Sequence, residues 1–535
     1  MESIDHEIIL IGAGVCGIYQ LHRLIELGRD VTLLEAADGP GGTWYWNRYP
    51  GCRFDSESWT YGYSFSEELL QEWDWSEHFA AQPETLRYLE HVVEKFDLRR
   101  YMQFGKRVER CSWDEATRTW GVEIADGTRL RCRFLMTAIG MLSAPTLPEI
   151  EGRDSFEGPS FHTYDWPRDG IDLSGRRVGV IGTGATGVQL IPQIAEEVAQ
   201  LTVFQRRPNW CAPLKNSRID PEEMARIKAS YAEIFSRCAR TPGGFIHGPL
   251  RKNFWECTPE ERRAIWEELY DSPGFGIWLG QFREVLMDEE ANAEFSAFVA
   301  DKIRARVRDP EIAEKLIPKD HGFGVQRVPM ETHYYEAYNR DDVRLVDLSE
   351  TPIERITPKG IETTKEAFDL DVIVFATGFD AITGAFDRIE FVGSGGKTLK
   401  EKWADDAITY LGFQCHGFPN LFTLAGPTGA SASTNFPRAL EAMVDWSTPF
   451  LEHLRKEDIT RVEADAAAER DWVEHVAELY QTLLLRNARS WFTGYNENVE
   501  GRTRMRHLIY NGGAPRFRER LKQVADAGYE GFLMS

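Results

Sequence analysis

The chain has 535 residues, of which 42% are hydrophobic, so it is long enough for about two to four domains with their own cores. Its formal net charge of -23 argues against nucleic acid as a partner, because binding phosphates needs a basic surface. No window has the ~18 consecutive apolar residues of a membrane span, and the first residues lack the basic region and cleavage site of a signal peptide. We therefore expect a cytoplasmic protein that does not cross a membrane.

Eight cysteines are scattered along the chain without a C-x-x-C pair. This spacing argues against a zinc site and against a redox dithiol, and a disulfide framework is not expected in a chain of this length. We therefore predict no metal site and expect the cysteines to be packing residues.

The first predicted unit is a βαβ fold in EIILIGAGVCGIYQLHRLIELGRDVTLLEA. A β-rich run leads into Gly12-x-Gly14-x-x-Gly17, apolar residues then recur at helical spacing, and VTLLE forms the next strand. The glycines allow a tight turn, close approach of a pyrophosphate and close helix–strand packing, and the helix N-terminus offers N–H groups to phosphates. Glu35 is placed to accept hydrogen bonds from a ribose 2′-OH. We therefore expect this unit to bind FAD or NAD.

A second fingerprint occurs in RRVGVIGTGATGVQLIPQIAEEVAQLTVFQRRPNW. Gln205 follows Gly182 by the same 23 positions that separate the first glycine from Glu35, and Arg206 and Arg207 come next. Arginine after an uncharged residue favours a 2′-phosphate, as in NADP, so we expect NADPH here and FAD in the first unit. The alternative is a solvated surface pair of arginines. The predicted contacts are Gly182, Thr183, Gly184, Ala185, Thr186, Gly187, Gln189, Arg206 and Arg207.

Residues 216–325 are predicted to be a helical insertion. Asp220, Thr258 and Asp309 are each a capping residue followed by proline at the first helical position. The aromatic residues of this region fit a packed core, and they also fit a cap over a cofactor cleft.

Strands resume in VRLVDL and DLDVIVFATGFD, and FLMTAIG has the character of the exit from the first unit. We therefore expect an α/β protein with two Rossmann-like dinucleotide-binding domains, for FAD and NADP, and a helical insertion. The FAD-binding domain is predicted at residues 1–145 and 381–535, and the NADP-binding domain at residues 146–215 and 326–380.

Two long motifs carry a family resemblance. Residues 156–167 fit F-x-G-x-x-x-H-x-x-x-W-P, and residues 41–55 fit G-G-x-W-x-x-x-x-Y-P-G-x-x-x-D at every fixed position. Together with the two fingerprints, they show that the chain resembles the Baeyer-Villiger monooxygenases, a class of flavin monooxygenases that hold both nucleotides on one chain. It is most similar to the phenylacetone and steroid monooxygenase branch.

The resemblance implies an activity. In this family NADPH reduces FAD, O₂ adds to the flavin C4a, and the resulting peroxide attacks a ketone to give an ester or lactone. Arg327 stands at the position of the active-site arginine, whose permanent charge suits both the peroxide and the alkoxide. Asp55 matches the carboxylate that orients this arginine. The implied partners are a small-molecule ketone and O₂, sulfoxidation is an expected side activity, and the expected state is a monomer or weak dimer.

The resemblance also implies further contacts. Trp491 is similar to a family tryptophan on a loop that covers NADP, with a buried structural tryptophan as the alternative. Phe436 and its neighbours are expected to shape the substrate pocket. The implied flavin contacts are Gly42, Thr43, Trp44, Trp46, Asn47, Asp55 and Tyr61; the further NADP contacts are Gln326, Arg327 and Trp491; the pocket residues are Ser431, Ala432 and Phe436.

The chain departs from the family pattern at the predicted 2′-phosphate site. Gln326 stands where the branch commonly has a phosphate-binding lysine, and Arg207 replaces a small polar residue. We expect a preference for NADPH that is kept but reduced. We expect His162 to be a structural histidine on a linker between domains, rather than a catalytic base.

Two rival functions are considered. An N- or S-hydroxylating flavin monooxygenase shares both fingerprints but usually lacks the Trp166-Pro167 ending of the long motif. A non-catalytic NADPH-binding sensor would not need Arg327 and Asp55 together. A disulfide reductase is disfavoured because C-x-x-C is absent.

Overall fold

A computed structural model describes residues 4–430 and 434–535, so the predictions for Ser431 and Ala432 lie outside the described residues. The strands are β1 (His6–Ile11), β2 (Val31–Leu34), β3 (Met102–Gln103), β4 (Val108–Asp114), β5 (Thr119–Ile124), β6 (Arg129–Thr137), β7 (Ser160–His162), β8 (Arg177–Ile181), β9 (Gln200–Gln205), β10 (Ala212–Pro213), β11 (Met330–Glu331), β12 (Val343–Asp347), β13 (Ile353–Thr357), β14 (Gly360–Thr363), β15 (Ala367–Asp369), β16 (Val372–Phe375), β17 (Glu390–Val392), β18 (Leu421–Thr423), β19 (Val462–Ala464) and β20 (Phe532–Met534).

The helices alternate with these strands. They are α1 (Val15–Glu26), α2 (Thr43–Trp46), α3 (Ser58–Tyr61), α4 (Glu67–Glu72), α5 (Gln82–Lys95), α6 (Ala185–Ile194), α7 (Pro221–Ala229), α8 (Tyr231–Arg240), α9 (Pro259–Asp271), α10 (Gly276–Leu279), α11 (Glu289–Arg306), α12 (Pro310–Leu316), α13 (Tyr334–Ala337), α14 (Leu399–Lys402), α15 (Phe436–Lys456), α16 (Ala466–Gln481) and α17 (Ala514–Asp526). Among the described residues, no helix combines the length and apolar content that crossing a membrane requires.

The larger sheet is built from both ends of the chain. Its strand order is β17-β4-β5-β6-β1-β2-β3, and β18 also pairs with β6. The central strands β6, β1 and β2 run parallel, whereas β4, β5 and β6 form an antiparallel meander. Ile8, Ile9 and Leu10 of β1 are fully buried, as expected for a strand covered on both faces.

The smaller sheet holds the second fingerprint. Its order is β12-β9-β8-β16-β7, and all four pairings are parallel. In both sheets the fingerprint turn lies against a neighbouring strand end. A Cβ on Gly12 would lie 2.6 Å from the Ala138 carbonyl oxygen, and one on Gly182 would lie 2.4 Å from that of Ala376. Both glycines also have positive φ, +103° and +112°, so only glycine fits there.

The second half of the larger domain packs on helix α1. The Tyr19 hydroxyl of α1 donates to Asp445 of α15 over 2.6 Å, and the Ser447 hydroxyl donates to the Gln20 side chain over 2.9 Å. Strand β18 and helix α15 therefore complete the fold that β1 begins.

Helices α7 to α12 form the insertion, and the three predicted starts are found. Asp220 accepts the N–H of Glu223 over 2.8 Å, Thr258 forms a capping box, and Asp309 accepts the N–H of Glu311 over 2.8 Å. The buried aromatic residues Phe254, Trp266, Phe282 and Phe295 form its core. The predicted fold class, two Rossmann-like domains with a helical insertion, is therefore confirmed. All eight cysteines are buried and unbridged, as predicted.

Trp120 offers a test of how the two ends of the chain are joined. It is fully buried on β5, and its indole N–H donates to the carbonyl of Pro419 over 2.7 Å. Trp120→Ala leaves a cavity and an unpaired carbonyl, so we expect a loss of about 3–5 kcal/mol of stability. The apparent Tm in a thermal melt measures it. Trp255→Ala, at a tryptophan that is 51% exposed, is the control, and equal melting of both variants would contradict this role.

Candidate active site

A cleft opens at the carboxyl ends of β1 and β2. Helix α1 begins there at Gly14, and no side chain caps it, so its first N–H groups face the cleft. Nine of the predicted cofactor and pocket residues line the cleft: Gly12, Gly14, Glu35, Gly42, Thr43, Trp44, Trp46, Tyr61 and Phe436. This group comes from three separate parts of the sequence, which the fold brings together.

Glu35 is held rigidly at the cleft wall. One of its carboxylate oxygens accepts the N–H of Ala13 over 2.7 Å, and the other accepts the N–H of Ala37 over 2.8 Å. Burial raises the pKa of Glu35, and these backbone donors oppose the rise. Each oxygen keeps a second lone pair for another donor.

Aromatic rings form the rest of this wall. The Trp44 indole N–H donates to the Tyr61 hydroxyl over 2.9 Å, and Phe54 stacks on Tyr61 with ring centroids 4.3 Å apart. Trp46 stacks on Tyr164 with centroids 5.1 Å apart. The result is a slot with flat apolar sides.

Several cleft residues were not predicted from the sequence. They are Lys106, Arg107, Tyr164 and Arg388. Tyr164 lies inside the long motif at 156–167, which could have indicated it. Lys106 and Arg107 stand on a loop and Arg388 ends the short 3-10 helix Phe386–Arg388, all without a motif, so only the fold brings them to the cleft.

Two predicted flavin contacts support the cleft from behind. A Cβ on Gly17 would lie 1.8 Å from the Gly12 carbonyl oxygen, so this glycine permits close packing under the turn. Asn47 is buried, and its side-chain amide donates to the carbonyl of Thr43 over 3.0 Å. Neither residue lines the cleft.

The second fingerprint forms a second binding surface. Helix α6 begins at Gly184 without a side-chain cap, and a Cβ on Gly184 would meet nothing within 4 Å, so the space above this turn is open. Ala185 and Thr186 start the helix. The Thr183 hydroxyl donates to the carbonyl of Arg207 over 3.1 Å, which fixes the turn against the strand end. A Cβ on Gly187 would lie 2.4 Å from the Gly182 carbonyl oxygen.

The arginine pair borders this surface, and carboxylates face it. Arg206 Nη1 lies 3.0 Å from Glu497 Oε2, and Arg207 Nη1 lies 4.0 Å from Asp320 Oδ2. Gln205 points inward instead, and its amide donates to the carbonyl of Lys315 over 2.7 Å. The two arginines are thus the cations available at the end of β9.

An ion pair in the candidate site joins Arg327 to Asp55. Arg327 Nη2 lies 2.7 Å from Asp55 Oδ2, and the same oxygen accepts the N–H of Met330 over 3.3 Å. The Asp55 side chain is 4% exposed, against 27% for that of Arg327. The guanidinium lies over the rings of Phe275 and Trp278, at 5.3 and 5.7 Å from their centroids. Two aromatic residues of the insertion therefore reach the arginine.

Gln189 connects α6 to this ion pair. Its amide nitrogen donates to Asp55 Oδ1 over 3.3 Å and to the carbonyl of Arg53 over 3.0 Å. Its oxygen accepts the Tyr49 hydroxyl over 2.9 Å. The sequence predicts a nucleotide contact at Gln189, but in the structure both ends of its amide contact protein groups.

The two remaining predicted NADP contacts are Gln326 and Trp491. Gln326 is half-buried beside Arg327. Trp491 is half-buried in the short turn Trp491–Thr493, and it packs on Phe492 with ring centroids 4.4 Å apart.

Comparison with known proteins covers the whole chain. The family described as pyridine nucleotide-disulphide oxidoreductase matches residues 9–239. The 2-oxo-Δ3-4,5,5-trimethylcyclopentenylacetyl-CoA monooxygenase of Pseudomonas putida is 46% identical over 98% of both chains. The acetone monooxygenase (methyl acetate-forming) of Gordonia sp. (strain TY-5) is 42% identical over 100% of both. The crystal structure of OTEMO in complex with FAD and NADP superposes with a TM-score of 0.96, at 45% identity and full coverage of both chains.

The chain belongs to the Baeyer-Villiger monooxygenase family. The family resemblance predicted from the two long motifs is therefore confirmed. The matched stretch spans 98% or more of the chain in both relatives, so the similarity is not confined to the two fingerprints.

In this Baeyer-Villiger monooxygenase, His162 lies at the end of strand β7. The sequence predicts a linker here, but the segment pairs with β16 and forms the edge of the smaller sheet. His162 Nδ1 accepts the N–H of Tyr164 over 3.0 Å, and Nε2 lies 3.1 Å from the carbonyl oxygen of Gly378. Burial lowers the pKa of His162 from its ordinary 6.5 to about 4. A neutral ring with both nitrogens engaged fits the predicted structural role.

His162 gives a pH test of the fold. Its folded pKa lies below its unfolded value, so the unfolded chain takes up a proton that the folded protein does not. Its contribution to stability is full above pH 6.5 and is lost as the pH falls towards 4, by about 3 kcal/mol in all. We expect the apparent Tm of His162→Gln to fall less between pH 7.5 and 5 than that of the wild type. The exposed His475→Gln serves as control, and a variant slope equal to the wild-type slope would rule this role out.

Proposed function

We propose that this protein converts ketones to esters or lactones with NADPH and O₂, and that FAD binds in the first cleft. The observation that carries the proposal is the contact of Arg327 with the buried Asp55, beside two aromatic residues of the insertion. Sulfoxidation of soft sulfur compounds is a proposed side activity.

The first cleft fits FAD. The uncapped start of α1 and the turn at Gly12 and Gly14 suit a pyrophosphate, and Glu35 has free lone pairs for ribose hydroxyls. The slot between Trp44, Trp46 and their aromatic neighbours suits a planar ring system. When bound and reduced by NADPH, FAD supplies the activation of O₂.

The second surface fits NADPH. The open space above Gly184 admits a pyrophosphate at the start of α6, and Arg206 with Arg207 would hold the 2′-phosphate through charge-assisted hydrogen bonds. Thr183, Thr186, Gln326 and Trp491 are further proposed contacts of this nucleotide.

Arg327 would stabilise negative charge at the reacting centre. Its guanidinium stays protonated throughout, so it can face an oxygen anion that develops on the ketone without giving up a proton. Asp55 limits the directions in which the guanidinium can point, and Gln189 fixes Asp55 from the other side. The rings of Phe275 and Trp278 exclude water from the face of the Arg327 guanidinium that they cover.

The same proposal divides the chain into functional domains. FAD would be held by residues 1–145 and 381–535, NADP by residues 146–215 and 326–380, and the insertion at 216–325 would cover the reacting centre. We also propose a cytoplasmic enzyme that acts as a monomer or weak dimer.

Product analysis with isotopically heavy O₂ tests the activity. The purified protein is supplied with FAD, NADPH and ketones ranging from small acyclic to large cyclic ones. We expect an ester or lactone that carries one heavy oxygen atom by mass spectrometry. Consumption of NADPH with hydrogen peroxide as the only product, across all the ketones, would overturn the substrate class.

Removing Asp55 tests the positioning of Arg327. In Asp55→Ala the guanidinium loses its buried anchor, so we expect the rate of ester formation to fall about 10- to 100-fold, while the apparent Tm shows that the protein stays folded. The matched control is Asp271→Asn, which removes an exposed ion pair with Lys215. Ester formation at the wild-type rate in Asp55→Ala would contradict the role given to this pair.

A further inference from the structure

The proposed 2′-phosphate site has an acidic neighbour that comes from a distant part of the chain. Glu497 Oε2 lies 3.0 Å from Arg206 Nη1, and the Asn498 side-chain oxygen accepts from the same nitrogen over 3.4 Å. Both residues belong to the stretch 490–506, named here the covering segment. The Glu497 carboxylate thus pairs with the Arg206 guanidinium that a nucleotide phosphate would need.

The surroundings of Glu497 favour its charged form. The Tyr495 hydroxyl donates to Glu497 Oε1 over 2.9 Å. Partial burial opposes ionisation, but this hydrogen bond and the charges of Arg206, Arg207 and Arg489 lower the pKa of Glu497. The cations that favour the charged form of this carboxylate would also favour a phosphate.

The covering segment is fixed to the chain just beyond the smaller sheet. Arg502 lies 3.6 Å from Asp380 and also pairs with Asp387. The Asn496 amide donates to the carbonyl of Phe379 over 3.0 Å. These contacts place Glu497 against Arg206.

A carboxylate and a phosphate cannot share one guanidinium at low cost. Two negative charges a few ångströms apart repel each other, and because the side chains of Arg206 and Glu497 are exposed, dissolved salt screens this repulsion. A free ribose 2′-OH, in contrast, can donate a hydrogen bond to a carboxylate, which is how an acidic residue favours NAD in a dinucleotide fold. Glu497 therefore opposes the phosphate of NADPH and tolerates NADH.

We propose that Glu497 is a specificity-determining residue. Because its carboxylate pairs with Arg206, it occupies the position of the 2′-phosphate and weakens the preference for NADPH over NADH. The proposal depends on the proposed NADPH function, in which Arg206 binds that phosphate. In addition, the Glu497 carboxylate competes with the 2′-phosphate for Arg206, and a bound nucleotide displaces this carboxylate.

Binding measurements on the FAD-loaded protein test this directly. The dissociation constants of NADP⁺, NAD⁺ and 2′,5′-ADP are determined by isothermal titration calorimetry for the wild type, Glu497→Gln, Glu500→Gln and Arg206→Ala. Glu500→Gln is the matched control, because it removes one negative charge from an exposed position of the same segment. Apparent Tm and flavin absorbance verify that each variant is folded.

We expect Glu497→Gln to bind NADP⁺ and 2′,5′-ADP about 3- to 10-fold more tightly at low salt, with a smaller gain at high salt, because screening weakens the repulsion. Its affinity for NAD⁺ is expected to stay the same or fall, and Glu500→Gln is expected to match the wild type. Unchanged or weaker NADP⁺ binding by Glu497→Gln would overturn the inference. If Arg206→Ala binds NADP⁺ as the wild type does, the assignment of the 2′-phosphate site itself fails, which separates the two outcomes.

Discussion

The buried carboxylate of Asp55 is the constraint on which the candidate site depends. A charge with a side-chain exposure of 4% is costly unless it is paired and hydrogen-bonded. Arg327 and the N–H of Met330, which lie on one segment, and the amide of Gln189 on helix α6 meet that need. The requirement to neutralise one carboxylate therefore fixes the first cleft, helix α6 and the end of the insertion relative to one another.

Parallel sheets make this convergence possible. Both fingerprints lie at the carboxyl ends of parallel strands. There the first turn of a helix exposes N–H groups that have no hydrogen-bond acceptor within the helix. The chain leaves the smaller sheet after β9 and rejoins it at β12, and the insertion between them brings Phe275 and Trp278 over the guanidinium of Arg327. The chain thus places the permanent cation of Arg327 under an aromatic cover.

The sequence predicted the features that depend on neighbouring residues and missed those that depend on distant contacts. The glycine turns and the helix starts at Asp220, Thr258 and Asp309 are local patterns, and the structure contains them all. The sequence predicts a linker at His162 instead of an edge strand, because its partner β16 lies about two hundred residues further on. The environment of Gln189 and the pairing of Arg206 with Glu497 depend likewise on distant segments.

Strand β18 has a consequence for how the protein is made. It pairs with β6, and Thr137 contacts Phe422 across 285 positions of the chain. A ribosome that adds roughly 5–20 residues per second needs on the order of tens of seconds to cover that distance. During this time β6 of the first domain lacks its partner β18. The strands of the smaller sheet, in contrast, are all available once residue 375 has emerged. The order of synthesis therefore favours completion of the inner domain before the domain that surrounds it.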